Sequence, residues 1–210
     1  MLHDGSKEVA LLAKMPPHAC VVTLLGHGPR LAVYAWHGRN LDRELGAAFF
    51  AEPQAMAVTH QLLQALQHCH AHGVVHCDLT PYNILVSAGQ VKLADFGNGH
   101  AAGRAMPWDQ TTVNWRAPEV ALRRPGCGAA VDLWAAGLVL AEMATGSRPW
   151  SLDDKDDLQN VHLVAAALAY LKKAPLLPCQ YSERAHTLAS GLLAWRPEDR
   201  LTAREALGLF

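Results

Sequence analysis

The stretch His76-Cys77-Asp78-Leu79-Thr80-Pro81-Tyr82-Asn83-Ile84-Leu85-Val86 decides the reading of this chain. Its second half, Ile84-Leu85-Val86, faces Val91-Lys92-Leu93 across Ser87-Ala88-Gly89-Gln90, a pattern that predicts a β-hairpin. A hairpin returns the chain to where it began. Asn83 therefore meets Asp95 at its open end, with Asp78 a few residues upstream. Taken singly, Asp and Asn are ordinary turn residues. Taken together at this spacing, Asp78, Asn83 and Asp95 form a candidate site built from oxygen-bearing side chains.

The stretch reads H-x-D-L-x-P-x-N, and Lys92-Leu93-Ala94-Asp95-Phe96-Gly97 follows the hairpin. Ala117-Pro118-Glu119 and Asp132-Leu133-Trp134-Ala135-Ala136-Gly137 come later, in that order. A lone D-F-G is weak, but the joint pattern resembles the eukaryotic protein kinases of serine/threonine type. The resemblance implies an α+β, protein kinase-like fold with a complete, mainly helical C-lobe and a partial N-lobe lacking the first strands. It divides the chain into an N-lobe remnant at 1–36 and a C-lobe at 37–210. It also implies transfer of the ATP γ-phosphoryl group to a protein Ser/Thr hydroxyl, with ATP and Mg²⁺ bound. Asp78 would be the catalytic carboxylate, and Asn83 and Asp95 the metal ligands. Tyr34, Ala35 and Trp36 would offer the adenine edge their backbone groups, Leu85 would floor the ring, and Val33 would be the gatekeeper.

The same comparison assigns further positions. Glu8 would be the αC glutamate; read from its residues alone, it is equally a solvated first-turn carboxylate. Phe96 would stack toward αC above His76. Thr112 would touch Asp78, Asp132 would accept hydrogen bonds from the catalytic-loop backbone, and Arg200 would form a buried pair with Glu119. Residues 196–207 resemble the family's closing segment, with Arg196 where Asp is usual.

The departures concern charge. Cys77 replaces the arginine that grips an activation-loop phosphate, which argues against that form of control. Thr80 and Tyr82 stand where serine/threonine and tyrosine kinases respectively carry a cation near the phosphates. No glycine-rich loop or partner lysine precedes Glu8, so about fifty residues of an ordinary domain are missing by comparison. Two readings therefore stay open: an enzyme, weak or inactive as this chain, and a pseudokinase serving as a binding or scaffolding module. Cys77 and Trp115-Arg116-Ala117-Pro118-Glu119 lean toward the cyclin-dependent, mitogen-activated and dual-specificity tyrosine-regulated group.

The remaining patterns are structural. Lys7–Met15 predicts a helix stopped by Pro16-Pro17, followed by strands over Val21–Leu25 and Arg30–Trp36 with Gly26 and Gly28 between them. Pro53–His72 predicts a long helix ending at Gly73. Its His68, Cys69, His70 and His72, with His76 beyond, tempt a metal reading, but helical spacing sends them to different faces. Val131–Thr145 is apolar all round and predicts a buried helix. Asp153, Asp154, Asp156 and Asp157 suggest a solvated face, and Leu158–Lys173 and Glu183–Trp195 suggest two more helices.

The chain has 210 residues, half of them hydrophobic and 18% charged, with a formal net charge of -1. That balance leaves no electrostatic footprint for nucleic acid or an anionic membrane. The five cysteines lack C-x-x-C spacing, which points to free thiols and an intracellular place, cytoplasmic or nuclear. No apolar run approaches the ~20 residues a membrane span needs. The partners expected are thus ATP and a protein substrate, with no nucleic acid and no membrane.

Overall fold

The computed structural model describes residues 5–28, 31–35, 37–45, 50–103, 111–124, 128–147 and 177–210. The chain opens with helix α1 (Gly5–Leu12), which buries Leu11 and Leu12. Pro16 and Pro17, which lack an N–H, lie just beyond its last turn.

Strands β1 (Leu24–Gly28) and β2 (Leu31–Tyr34) pair antiparallel, with Leu24 opposite Tyr34 and Gly28 opposite Leu31. This corrects the expected strand over Val21–Leu25. Both glycines lie inside β1, and Val21 and Val22 leave it to run beside Leu93, where Leu93 N donates to Cys20 O and Val22 N to Leu93 O. The reason is burial. Val21 and Val22 are buried there, whereas Leu25, skipped by the ladder irregularity between Leu24 and Gly26, is 65% exposed.

Strand β3 (Arg39–Asn40) leads into helix α2 (Leu41–Leu45), whose Leu41 is fully buried. Gly38 precedes them at φ 56°, where an added Cβ would meet Val86 O at 2.0 Å, so only glycine fits. Helix α3 (Glu52–Ala71) follows, with Pro53 in its first turn, and lies within a residue of its expected span. Its buried face carries Leu62, Leu63, Leu66 and Cys69.

After strand β4 (Val74–Val75) comes the quoted stretch, and then β5 (Ile84–Ser87) and β6 (Gln90–Leu93). The hairpin is as expected, with Ile84 opposite Leu93 and Ser87 opposite Gln90. Ala88 and Gly89 both have positive φ, 49° and 78°, the signature of a type I′ turn. Strand β3 joins as an outer strand to give the order β3-β5-β6. A second small pairing joins β4 to β7 (His100–Ala101) and so brackets the ends of the quoted stretch and of the D-F-G segment.

Helix α4 (Pro118–Ala121) is short and buried. Helix α5 (Ala130–Thr145) buries every residue from Val131 to Ala144 and closes on Gly146 at φ 66°. It packs against α3 and against α6 (Glu183–Leu192), which Ser182 caps by accepting from Ala185 N. Helix α7 (Ala203–Leu207) starts in a reciprocal Thr202–Glu205 capping box and packs on α3. The acidic cluster at Asp153–Asp157 and the helix expected over Leu158–Lys173 lie outside the described residues, as do Trp36 and Cys127.

Candidate active site

Asp132 begins the site although it sits on a distant helix. It is 1% exposed, and its carboxylate accepts from His76 N and Cys77 N at 2.9 Å each. Cys77 has φ 67°, an unusual conformation for a side chain with a Cβ, and the Asp132 contact holds it there. His70 Nε2–H donates to the same carboxylate at 2.8 Å. Burial alone raises a carboxyl pKa; the hydrogen bond and charge of His70, with His76, outweigh it and hold Asp132 below its usual value. The expected backbone contact is therefore present. The His70 contact was not foreseen; a histidine near the end of α3, ahead of the loop, was its only sequence signal.

His76 is fully buried and ties the loop to the D-F-G segment. Its Nε2–H donates to Ala94 O at 2.9 Å, and its Nδ1 accepts from Asp78 N at 3.3 Å. Its ring meets Phe96 edge-on, with centroids 4.8 Å apart, as expected. Against expectation, His68 and His72 share a helix face, with their rings tilted at 4.5 Å and His18 stacked on His68 at 4.5 Å; His70 turns away to Asp132.

Asp78 is oriented by three donors. Thr112 gives its N–H and hydroxyl to Oδ1 at 3.0 and 2.6 Å, and Asn98 gives its amide to Oδ2 at 3.1 Å. The Thr112 contact matches expectation; the Asn98 contact was missed, and a lone polar residue after Gly97 would not have disclosed it. Asn83 donates its Nδ2 to Asp78 O at 2.8 Å, which leaves its carbonyl oxygen for another partner. Ala94 N donates to Asn83 O at 2.8 Å, which sets Asp95 beside Asn83. Asp95 is exposed at φ 61°, and among the described residues only its Oδ1 is engaged, by Gly97 N. Two open, hard oxygen ligands at the mouth of one hairpin fit Mg²⁺.

The opposite wall comes from α1 and β2. Glu8 Oε1 accepts from Phe96 N at 3.0 Å, so Glu8 turns inward rather than to solvent. Val33 is 45% exposed, and alternation along β2 puts Tyr34 on the inner side instead. Burial, then the Glu8 and Asp95 carboxylates, push the Tyr34 hydroxyl pKa up. The gatekeeper expectation is thereby corrected: Tyr34, not Val33, faces Glu8. Ala35 N–H is spent on Thr23 O, so it offers the adenine edge no donor. Leu85 is half-buried on β5 opposite Asn40.

The segment that the kinase comparison makes the activation segment, residues 95–119, is anchored at its Glu119 end. Arg200 pairs with Glu119 through two hydrogen bonds of 2.8 and 3.1 Å, both partners being buried, and its guanidinium lies 5.1 Å from the Trp134 ring centre. Arg116 is held by the Thr111 hydroxyl and carbonyl.

Residues 6–209 match the family model described as protein kinase domain. The chain belongs to the protein kinase family. It is similar to sperm motility kinase 2A of Mus musculus, 34% identical over 174 residues, which cover 81% of this chain and 33% of that protein. It is 29% identical to CBL-interacting serine/threonine-protein kinase 8 of Arabidopsis thaliana, over 98% of this chain and 46% of that protein. Ribosomal protein S6 kinase alpha-3 of Homo sapiens is 31% identical over 95% of this chain and 29% of its own length. The chain thus spans about a third to a half of the curated relatives it matches. The family match and the serine/threonine-protein kinases among its relatives make this a serine/threonine kinase-like domain of α+β content.

Proposed function

We propose that this chain is the kinase domain of a serine/threonine protein kinase, transferring the ATP γ-phosphoryl group to a protein Ser or Thr hydroxyl. The observation that carries this reading is the triple hold on Asp78 by Thr112 and Asn98, with Asn83 tied to the same residue's carbonyl. Asp78 is the catalytic residue: it orients the attacking hydroxyl and takes its proton as the new P–O bond forms and the bond to the ADP oxygen breaks. Asn83 and Asp95 would hold Mg²⁺, which would supply positive charge to offset that of the phosphates. Tyr34, Trp36 and Leu85 serve the adenine side, Tyr34 by closing the inner wall. Residues 1–36 belong to a partial N-lobe and residues 37–210 to the C-lobe. The location is intracellular, cytoplasmic or nuclear, a reading supported by the lack of any disulfide among the described residues. The leaning toward the cyclin-dependent and mitogen-activated group rests on Cys77 and on Trp115–Glu119 alone.

Two observations favour the second reading, a pseudokinase used as a binding or scaffolding module. Thr80, in the place of a phosphate-facing lysine, is 2% exposed, and Glu8 is engaged by the Phe96 amide. Losing one preorganised charge contact costs about 3–4 kcal/mol in the transition state. The chain is therefore expected to turn over slowly at best.

Thermal unfolding with and without MgATP separates the readings. An Mg²⁺-dependent rise in Tm that disappears in Asp95→Ala supports the nucleotide site. Phosphate transfer to a protein substrate, lost in Asp78→Asn, supports the enzyme. Nucleotide binding without transfer leaves the scaffold, and no Tm shift in the folded chain sinks the nucleotide site.

A further inference from the structure

A cavity of about 390 Å³ opens away from the candidate active site, among α3, the start of α5 and the segment leading into α7. Its body is apolar, with Leu133, Ala130, Leu201 and Ala203 among its walls. The size falls within the usual range for small-molecule sites.

Three basic side chains line it, and they differ in how they are compensated. Arg200 is paired with Glu119, and His70 is held by Asp132. The Arg204 side chain is exposed and makes no hydrogen bond or ion pair among the described residues. Among the described residues, no carboxylate lines the cavity. One uncompensated guanidinium beside a hydrocarbon floor selects a compact amphipathic monoanion, and its planar fork matches a carboxylate.

The two compensated residues give the cavity a physical route to the site. His70 forms part of the wall, and its Nε2–H holds the carboxylate that fixes His76 N and Cys77 N. Arg200 forms another part and holds Glu119 at the end of the activation segment. A ligand seated there packs against both anchors.

We propose that this cavity is a regulatory site for a small amphipathic carboxylate, which Arg204 recognises and which stiffens the His76–Asp78 loop through His70 and Asp132. The proposal does not depend on phosphoryl transfer, and its test needs no turnover. The probe is 1-naphthaleneacetate, with neutral 1-naphthaleneacetamide as its counterpart, titrated calorimetrically into the full 210-residue chain. The expected result is saturable binding of the acid, weakened about tenfold in the amide and about tenfold in Arg204→Ala, as for one charge-assisted contact. Ala71→Trp, at the exposed end of α3 where the helix lines the cavity, should block binding while Tm shows the fold intact. Amide hydrogen exchange at His76 and Cys77 should slow severalfold with the acid bound. Equal affinity for acid and amide, binding undiminished in folded Ala71→Trp, or no binding at all would overturn the site. Binding with unchanged exchange at both amides would overturn its coupling to the loop.

Discussion

Asp132 is a fully buried carboxylate with three donors, and its energetics follow from that count. Asp132→Ala strands two buried N–H groups, at about 1–3 kcal/mol each, a loss that urea unfolding would read directly. The pH dependence has a definite sign. The folded pKa lies below the unfolded value, so the stabilisation is complete above the unfolded pKa, near 4, and is lost as pH falls through the lower folded value. Unfolding midpoints should hold from pH 7 to about 5 and drop below about 4. Asp132→Asn should make that drop shallower without abolishing it, since hydrogen bonds also lower the Glu52 and Glu205 carboxyls. At this scale the motif residues were legible, because their spacing encodes their chemistry. The Asn98 amide on Asp78 was not: Asn98 lies 20 residues away, and the contact depends on how the D-F-G segment folds back.

Helices meet where small residues allow it. A Cβ on Gly137 would come within 2.7 Å of Leu193 Cγ and 3.0 Å of Leu192 Cβ, so α5 and the end of α6 can approach only with glycine there. Gly137→Ala should cost about 1–3 kcal/mol by overpacking, seen as a lower denaturant midpoint with an unchanged slope. The Arg200–Glu119 pair ties the segment after α6 to the A-P-E element. Arg200→Ala leaves a buried carboxylate and should cost about 3–5 kcal/mol. Adding Glu119→Ala should cost less than the sum of the two single changes, and a double-mutant cycle would read the difference. Helices α3 and α5 were legible from their length and apolar patterning. The position of β1 was not. Val21 and Val22 favour a strand locally, and it is packing beside Leu93 that draws them out of the β1–β2 ladder.

Across the whole molecule, the described thiols differ in access. Cys20, Cys69 and Cys77 are buried and Cys179 is exposed. Burial pushes the Cys69 thiol up to about 12, with Asp132 adding to the effect. A thiol reagent on the native chain should label Cys179 first, and these three only on unfolding, as peptide mapping would show. The exposed Leu25 and Val33 leave apolar side chains on the β1–β2 pair. Leu25→Lys should reduce self-association measured by light scattering and leave Tm nearly unchanged.

By itself the sequence determined the family, the order of the motifs and the hairpin that joins Asn83 to Asp95. All of these are written in residue type and spacing, and the hairpin needs only local chain geometry. The tertiary structure alone decided that Tyr34 rather than Val33 faces Glu8, that His70 completes the hold on Asp132, and that Asn98 reaches Asp78. It also decided that α3, α5 and the approach to α7 enclose a cavity lined by Arg204, whose side chain has no partner among the described residues. These features join residues tens of positions apart. Whether they meet depends on strand register, on helix packing distances set by single glycines, and on which apolar side chains gain most from burial, and none of these is a property of a local window of sequence.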